Sequence, residues 1–206
     1  MPKIPSNIAF TPAVKAVQAE LGSRRGYERM EQGNGWQTTV TPELAEFLAE
    51  LDMFYLGTAN AQGQPYIQYR GGVPGFLKVI DEHTLGFADF GGNRQYITVG
   101  NLSENPKAFI FLMDYANSRR VKLWGTAKVV QDRALIEQLA DKDYPATIER
   151  AITFTIEAWD VNCQQHIHRR FSQRQIGPVI ESLQERIREL EAELKAAGKK
   201  PGIPTP

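Results

Sequence analysis

The chain has 206 residues, 42% hydrophobic and 10% aromatic, enough to bury one sizeable core, and its length argues for one domain with additions or at most two. Lys+Arg and Asp+Glu both number 24, so the formal net charge is zero; this excludes a global field that recruits nucleic acid or an anionic membrane and leaves any phosphate to locally placed cations. Cys163 is the single cysteine, which excludes an intramolecular disulfide framework and a thiol-clustered metal site.

The segment Met1–Ser6 lacks the apolar core of a signal peptide, and no later apolar run has membrane-spanning length, so the expected location is cytoplasmic. Thr11-Pro12 and Thr41-Pro42 each place a capping hydroxyl before a proline at the first helical position, and Leu44, Phe47, Leu48 and Leu51 then line one face. Two N-terminal helices are predicted. Arg24 to Thr38 has no clear period and reads as a loop or ragged helix.

Short β-rich runs follow at Met53–Thr58, Tyr66–Arg70, Phe76–Ile80, Thr84–Ala88, Ala108–Met113 and Arg120–Val130, separated by turn residues such as Asn60 to Pro65. A helix is expected around Arg133–Ala140. Ala151–Trp159 alternates as a last strand. The predicted fold class is mainly β with helices (α+β), an antiparallel barrel or sandwich. The tail repeats Ile176, Ile180, Leu183, Ile187, Leu190 and Leu194 at alternating steps of four and three, a coiled-coil seam. Such a helix either packs on its own barrel or pairs with a second subunit; the periodicity leaves both open. Gly198 to Pro206 reads as a disordered end.

Tyr69 to Asp81 and Phe87 to Tyr96 combine glycines with Lys78 and Arg94, so the backbone can approach a ligand closely while the side chains offer charge to an anion. The spacing matches neither a Walker loop nor a dinucleotide fingerprint. Read alone, these residues equally describe two glycine-rich turns with solvated charges. His166 and His168, two apart, share one face if extended, and either can move a proton near neutral pH; no third ligand accompanies them at metal-site spacing. Cys163 beside a strand end reads as inert packing.

From about Leu44 to Phe171 these motifs resemble the pyridoxamine 5′-phosphate oxidase-like family of FMN-binding split barrels. The resemblance implies a split β-barrel as an FMN-binding domain (41–172); the residues on either side read as an N-terminal helix and loop (1–40) and a C-terminal coiled-coil-like helix with a disordered end (173–206). It implies an FMN phosphate held by Lys78 and by Asn93, Arg94 and Gln95, with Ala88 and Asp89 touching the isoalloxazine ring through main chain. Gln95 stands where the oxidases have a lysine, which removes one charge and keeps a donor. Pro106 stops the helix before the next barrel strand.

The resemblance further implies that Arg120, Trp159 and Arg170 reach the flavin of a partner subunit in a homodimer, with Trp159 as an apolar wall and Arg170 as a fixed cation. His166 occupies the place of a family arginine and His168 that of a family histidine, both facing the substrate. Asp143 to Thr147 does not match the residues that hold the substrate phosphate there. The implied function is therefore an FMN-dependent oxidoreductase acting on a small molecule other than pyridoxamine phosphate. The alternatives are a flavin store or redox sensor without turnover, or a split barrel that uses haem or deazaflavin F420.

Overall fold

A computed structural model describes residues 4–33, 35–161 and 165–198. Cys163 and the tail from residue 199 lie outside the described residues. A short 3-10 turn (Pro5–Ile8) leads into α1 (Pro12–Glu20), α2 (Arg24–Gln32) and α3 (Pro42–Glu50). The Thr11 and Thr41 hydroxyls accept from the backbone N–H of Val14 and Leu44, both at 3.3 Å, so the two Thr-Pro starts cap as the sequence indicates. Of the stretch read as a loop or ragged helix, Arg24–Gln32 is helical. Tertiary charge pairing accounts for this: Glu31 accepts from Ser6 Oγ at 2.9 Å, pairs with Arg24 and lies 3.3 Å from Lys15 Nζ.

Seven antiparallel strands form one sheet: β1 (Met53–Ala59), β2 (Pro65–Gly71), β3 (Lys78–Val79), β4 (Thr84–Phe90), β5 (Lys107–Asp114), β6 (Arg119–Val130) and β7 (Ile148–Val161). Their order is β2-β1-β5-β6-β7-β4-β3, so the sheet curls without closing and keeps β2 and β3 as edges, as in a split barrel. β3 is shorter than the predicted Phe76–Ile80 run. Gly75 turns in the left-handed region (φ +77°), and Phe76 and Leu77 then plug the core instead of joining the ladder.

Alternation decides which residues face inward. Phe54, Leu56, Ile110, Leu112, Val121, Leu123, Ile152 and Phe154 meet on the inner face, and Leu44, Phe47 and Leu48 of α3 close one end. Gly125 sits at a register shift between β6 and β7, where an added Cβ would lie 2.0 Å from the Thr155 carbonyl oxygen; only glycine allows that approach. α4 (Ile97–Glu104) is tied to the sheet by Asn101 Nδ2, which donates to Thr58 Oγ1 at 3.0 Å, and by Thr98 Oγ1, which donates to Gln68 Oε1 at 2.6 Å. These bonds anchor the loop 91–96 that precedes the helix.

α5 (Arg133–Leu139) starts at Asp132, whose carboxylate accepts from Leu135 N–H at 2.8 Å, and its Leu139 covers the side of β4 away from the core, next to Gly86. β4 is thereby buried on both faces. α6 (Gln173–Ala196) starts on a capping box between Ser172 and Gln175, and none of its residues is buried. It does not pack on its own barrel. No described helix is long and apolar enough to cross a membrane.

Candidate functional site

Two clefts gather most of the residues singled out in the sequence. The first, of about 250 Å³, lies where β2, the end of β4, the loop 91–96 and the start of α4 converge. The two-residue period of β2 turns Tyr66, Gln68 and Arg70 into it, while Ile67 and Tyr69 face the opposite side. Asp89 contributes from β4 and Glu149 from β7; Asn93, Arg94, Gln95 and Tyr96 form the rim.

The floor is an ionic lattice. Asp89, 7% exposed, accepts from Arg70 through Oδ1 and lies 3.5 Å from Arg150 Nε through Oδ2, while Arg150 also pairs with Glu149. The Arg150 guanidinium lies 5.1 Å from the Tyr96 ring centroid, and that of Arg70 lies 5.6 Å from Phe87. Both carboxylates are thus engaged by arginines within the chain. Even so, Arg70 Nε and Arg150 Nε are buried with no hydrogen-bond partner.

The rim is strained and open. Arg94 (φ 58°) and Tyr96 (φ 53°) both hold left-handed backbone, and Asn93 Oδ1 accepts from Gln95 N–H at 3.2 Å. Arg94 is exposed and makes no ion pair with any described residue. A cation and two amides on a tight turn, above buried arginines, make a donor set suited to a phosphate.

The second cleft, of about 220 Å³, lies on the outer face of the sheet. Phe111, Met113, Tyr115 and Arg120 come from β5, β6 and their turn, and the segment after β7 brings His166, Ile167, His168 and Arg170 over them. Three contacts hold that segment: Arg170 N–H donates to the Tyr115 carbonyl at 3.4 Å, Ser118 Oγ donates to the Ile167 carbonyl at 3.2 Å, and the Arg170 guanidinium lies 5.2 Å from the Tyr115 ring centroid. His166 adopts φ 63°. Arg120 Nε is buried without a hydrogen-bond partner among the described residues. A hydrogen bond with Tyr55, followed by burial, holds the Tyr115 hydroxyl above its ordinary ionisation range.

Beside this cleft, Lys122 Nζ and Asp160 Oδ2 lie 3.9 Å apart. Burial outweighs their attraction in both: the Asp160 carboxyl is raised above its usual range and the Lys122 ammonium lowered below its own.

The sequence-derived residues therefore divide. Asp89, Asn93, Arg94 and Gln95 meet in the first cleft, and Arg120, His166, His168 and Arg170 in the second. Ala88 is buried in β4 beside Asp89. Lys78 lines neither cleft: its ammonium donates to the Ala140 carbonyl at 3.3 Å and to Asp141 Oδ1 at 3.1 Å. Trp159 is 7% exposed within the core, with its indole N–H donating to the Thr39 carbonyl at 2.7 Å. Among the described residues no three His, Cys, Asp or Glu side chains are grouped to hold a metal ion.

Arg70, Arg150, Glu149, Tyr96 and Tyr115 were not singled out by sequence reasoning. Alternation along β2 carried a signal for Arg70, since Gln68 and Arg70 are polar on one face while Ile67 and Tyr69 are apolar on the other. Arg150 gave none, because β7 begins three residues earlier than its apolar pattern and the Asp89–Arg150 contact is long-range.

A family model described as pyridoxamine 5′-phosphate oxidase matches residues 40–163. No curated protein matches the chain. Among solved structures, HupZ from Group A Streptococcus is 16% identical, covering 64% of this chain and 99% of its own at a TM-score of 0.49. An FMN-binding protein from Syntrophomonas wolfei is 18% identical, covering 71% and 97% at 0.43. The haem storage protein HutZ from Vibrio cholerae is 18% identical, covering 56% and 88% at 0.38. These likenesses are too distant to bear on fold or function.

Proposed function

Since the chain belongs to the pyridoxamine 5′-phosphate oxidase family over residues 40–163, we propose that it is an FMN-dependent oxidoreductase acting on a small organic molecule other than pyridoxamine phosphate. The observation that carries this reading is the first cleft: an unpaired Arg94 with Asn93 and Gln95 on a left-handed turn, above the buried Arg70 Nε–H that lacks an acceptor. That donor set fits the phosphate of FMN.

In this reading Arg94, Asn93 and Gln95 hold the phosphate at the rim, while Arg70, fixed through Asp89, offers an oriented N–H donor from the floor without having to reorganise. Bound FMN supplies hydride transfer to or from a substrate. The second cleft serves a second copy of this chain. Ile67 (69% exposed) and Tyr69 (59% exposed) leave an apolar outer face beside Phe111 and Arg120, of the kind buried when two barrels pair. Arg120 and Arg170 then stand at the flavin edge, and His166 or His168 exchanges a proton with the substrate.

The altered substrate rests on Asp143 to Thr147 not matching the family's substrate-phosphate residues; in this chain Tyr144 packs its ring on Phe90 at 4.9 Å. The visible spectrum of the purified protein, with added FMN, tests the reading. Flavin bands are expected; a Soret band, or failure to take up FMN, overturns it. Reduction of the bound flavin by NADH or NADPH followed by oxygen uptake is the second expected result, and a flavin that no donor reduces would leave storage or sensing in its place.

A further inference from the structure

α6 carries an apolar stripe that its own barrel leaves uncovered: Ile176, Ile180, Leu183, Ile187 and Leu190 are 41%, 44%, 59%, 54% and 41% exposed. The 24-residue helix spans about 36 Å at 1.5 Å per residue. The stripe repeats at four and three, so Ile180, Ile187 and Leu194 take the a positions of a heptad and Ile176, Leu183 and Leu190 the d positions. Isoleucine at a with leucine at d, as at 180/183 and 187/190, is the combination that favours a parallel two-stranded coil, with Ile176 and Leu194 departing from it at the ends.

Charge decides the direction independently. In this register Val179, Arg186 and Glu193 are at g, and Gln184 and Glu191 at e. A parallel pair sets each g residue against the e residue five positions on in its partner, so Arg186 meets Glu191 twice by symmetry and no like charges meet. An antiparallel pair that keeps the same apolar layers sets Arg186 against Arg186 at its centre. Within one helix Arg186 donates to Glu189 Oε2 at 2.8 Å, but that carboxylate is itself exposed and holds the guanidinium only at the surface.

We propose that α6 is a dimerisation strap, a parallel coiled coil formed with α6 of a second copy of this chain. The inference rests on the proposed pairing of two barrels. A seam this short, with Pro178 in its first turns, is marginal in isolation, and the paired barrels supply the effective concentration that lets it close. The helix begins at Ser172, immediately after the Arg170 and His168 cleft, so closing the strap also fixes the segment that carries those side chains.

The test uses the full chain with Cys163→Ser, which removes its single cysteine, and Leu190→Cys. A parallel coil juxtaposes the two 190 positions, so mild oxidation is expected to give an interchain disulfide in most molecules; an antiparallel coil sets 190 against 180. In the unmodified background, Arg186→Glu and Glu191→Arg are each expected to weaken dimerisation about fivefold by sedimentation equilibrium, and the double swap to recover to within about twofold. An intrahelical role alone would not be rescued by the swap, because the Arg186–Glu189 pair stays broken. A dimer that forms no 190–190 disulfide overturns this inference and leaves the barrel pairing intact. A monomer overturns both. The disulfide in a protein that takes up no FMN upholds the strap while the functional reading falls.

Discussion

In the first cleft, arginines and carboxylates meet in matched pairs: Arg70 and Arg150 converge on Asp89, and Glu149 completes the set. In the second, two arginines and two histidines gather with no carboxylate among the described lining residues, and Arg170 rests on the Tyr115 ring. The first draws its four charges from one chain, on β2, β4 and β7. The second rests on a segment secured by three contacts. The difference teaches that rigidity and exposure of charge are separate properties: one cleft is a preorganised scaffold with a cation at its rim, and the other gathers its cations on a segment held by few contacts.

The largest expected effect breaks the scaffold. Asp89→Asn leaves the buried Arg70 guanidinium without its carboxylate and Arg150 with Glu149 alone, and should lower stability by about 3–5 kcal/mol in urea unfolding, with loss of FMN uptake. Should stability stay unchanged, the lattice would not hold the first cleft together. Next, Arg94→Ala touches only the rim: FMN affinity should fall about 10–100-fold by fluorescence titration with the unfolding midpoint unchanged, and more than it falls for His166→Ala. The reverse order would move the phosphate to the second cleft.

A smaller effect probes how the rim is held. Asn101→Ala removes the buried bond to Thr58 and should destabilise by about 1–2 kcal/mol while loosening the loop ahead of α4, read as faster amide exchange over residues 93–98 than over β6. The smallest concerns the flank of the second cleft. Asp160 has a raised carboxyl, so the folded chain holds that proton more tightly than the unfolded one, and its contribution to stability is present at acid pH and lost as pH rises from the ordinary aspartate range through the raised value. Asp160→Asn should remove that slope from chemical denaturation curves measured across the acid range, and an unchanged slope would mean that burial there is not felt.

Much of the fold followed from local patterns. Thr-Pro starts produced capped helices, and alternation from Met53 to Trp159 produced the strands, because both signals depend on neighbours in sequence. α2 did not follow, since its helix is held by Glu31 reaching Ser6 and Lys15 across the N-terminal region. The two patches that carried the family resemblance also separated differently from their spacing. Arg94 and Gln95 joined the first cleft and His166 to Arg170 the second, whereas Lys78 turned to Asp141 and Trp159 to the core.

What the sequence determined by itself was the β-rich barrel, the family and the heptad on α6, because period, turn chemistry and motif are properties of adjacent residues. Only the tertiary structure decided that Asp89 bridges Arg70 and Arg150, that Trp159 faces inward, and that α6 leaves its stripe uncovered. Each of these depends on which side of a curved sheet a distant segment returns to. Register and closure set that, and they are fixed by packing the whole core at once.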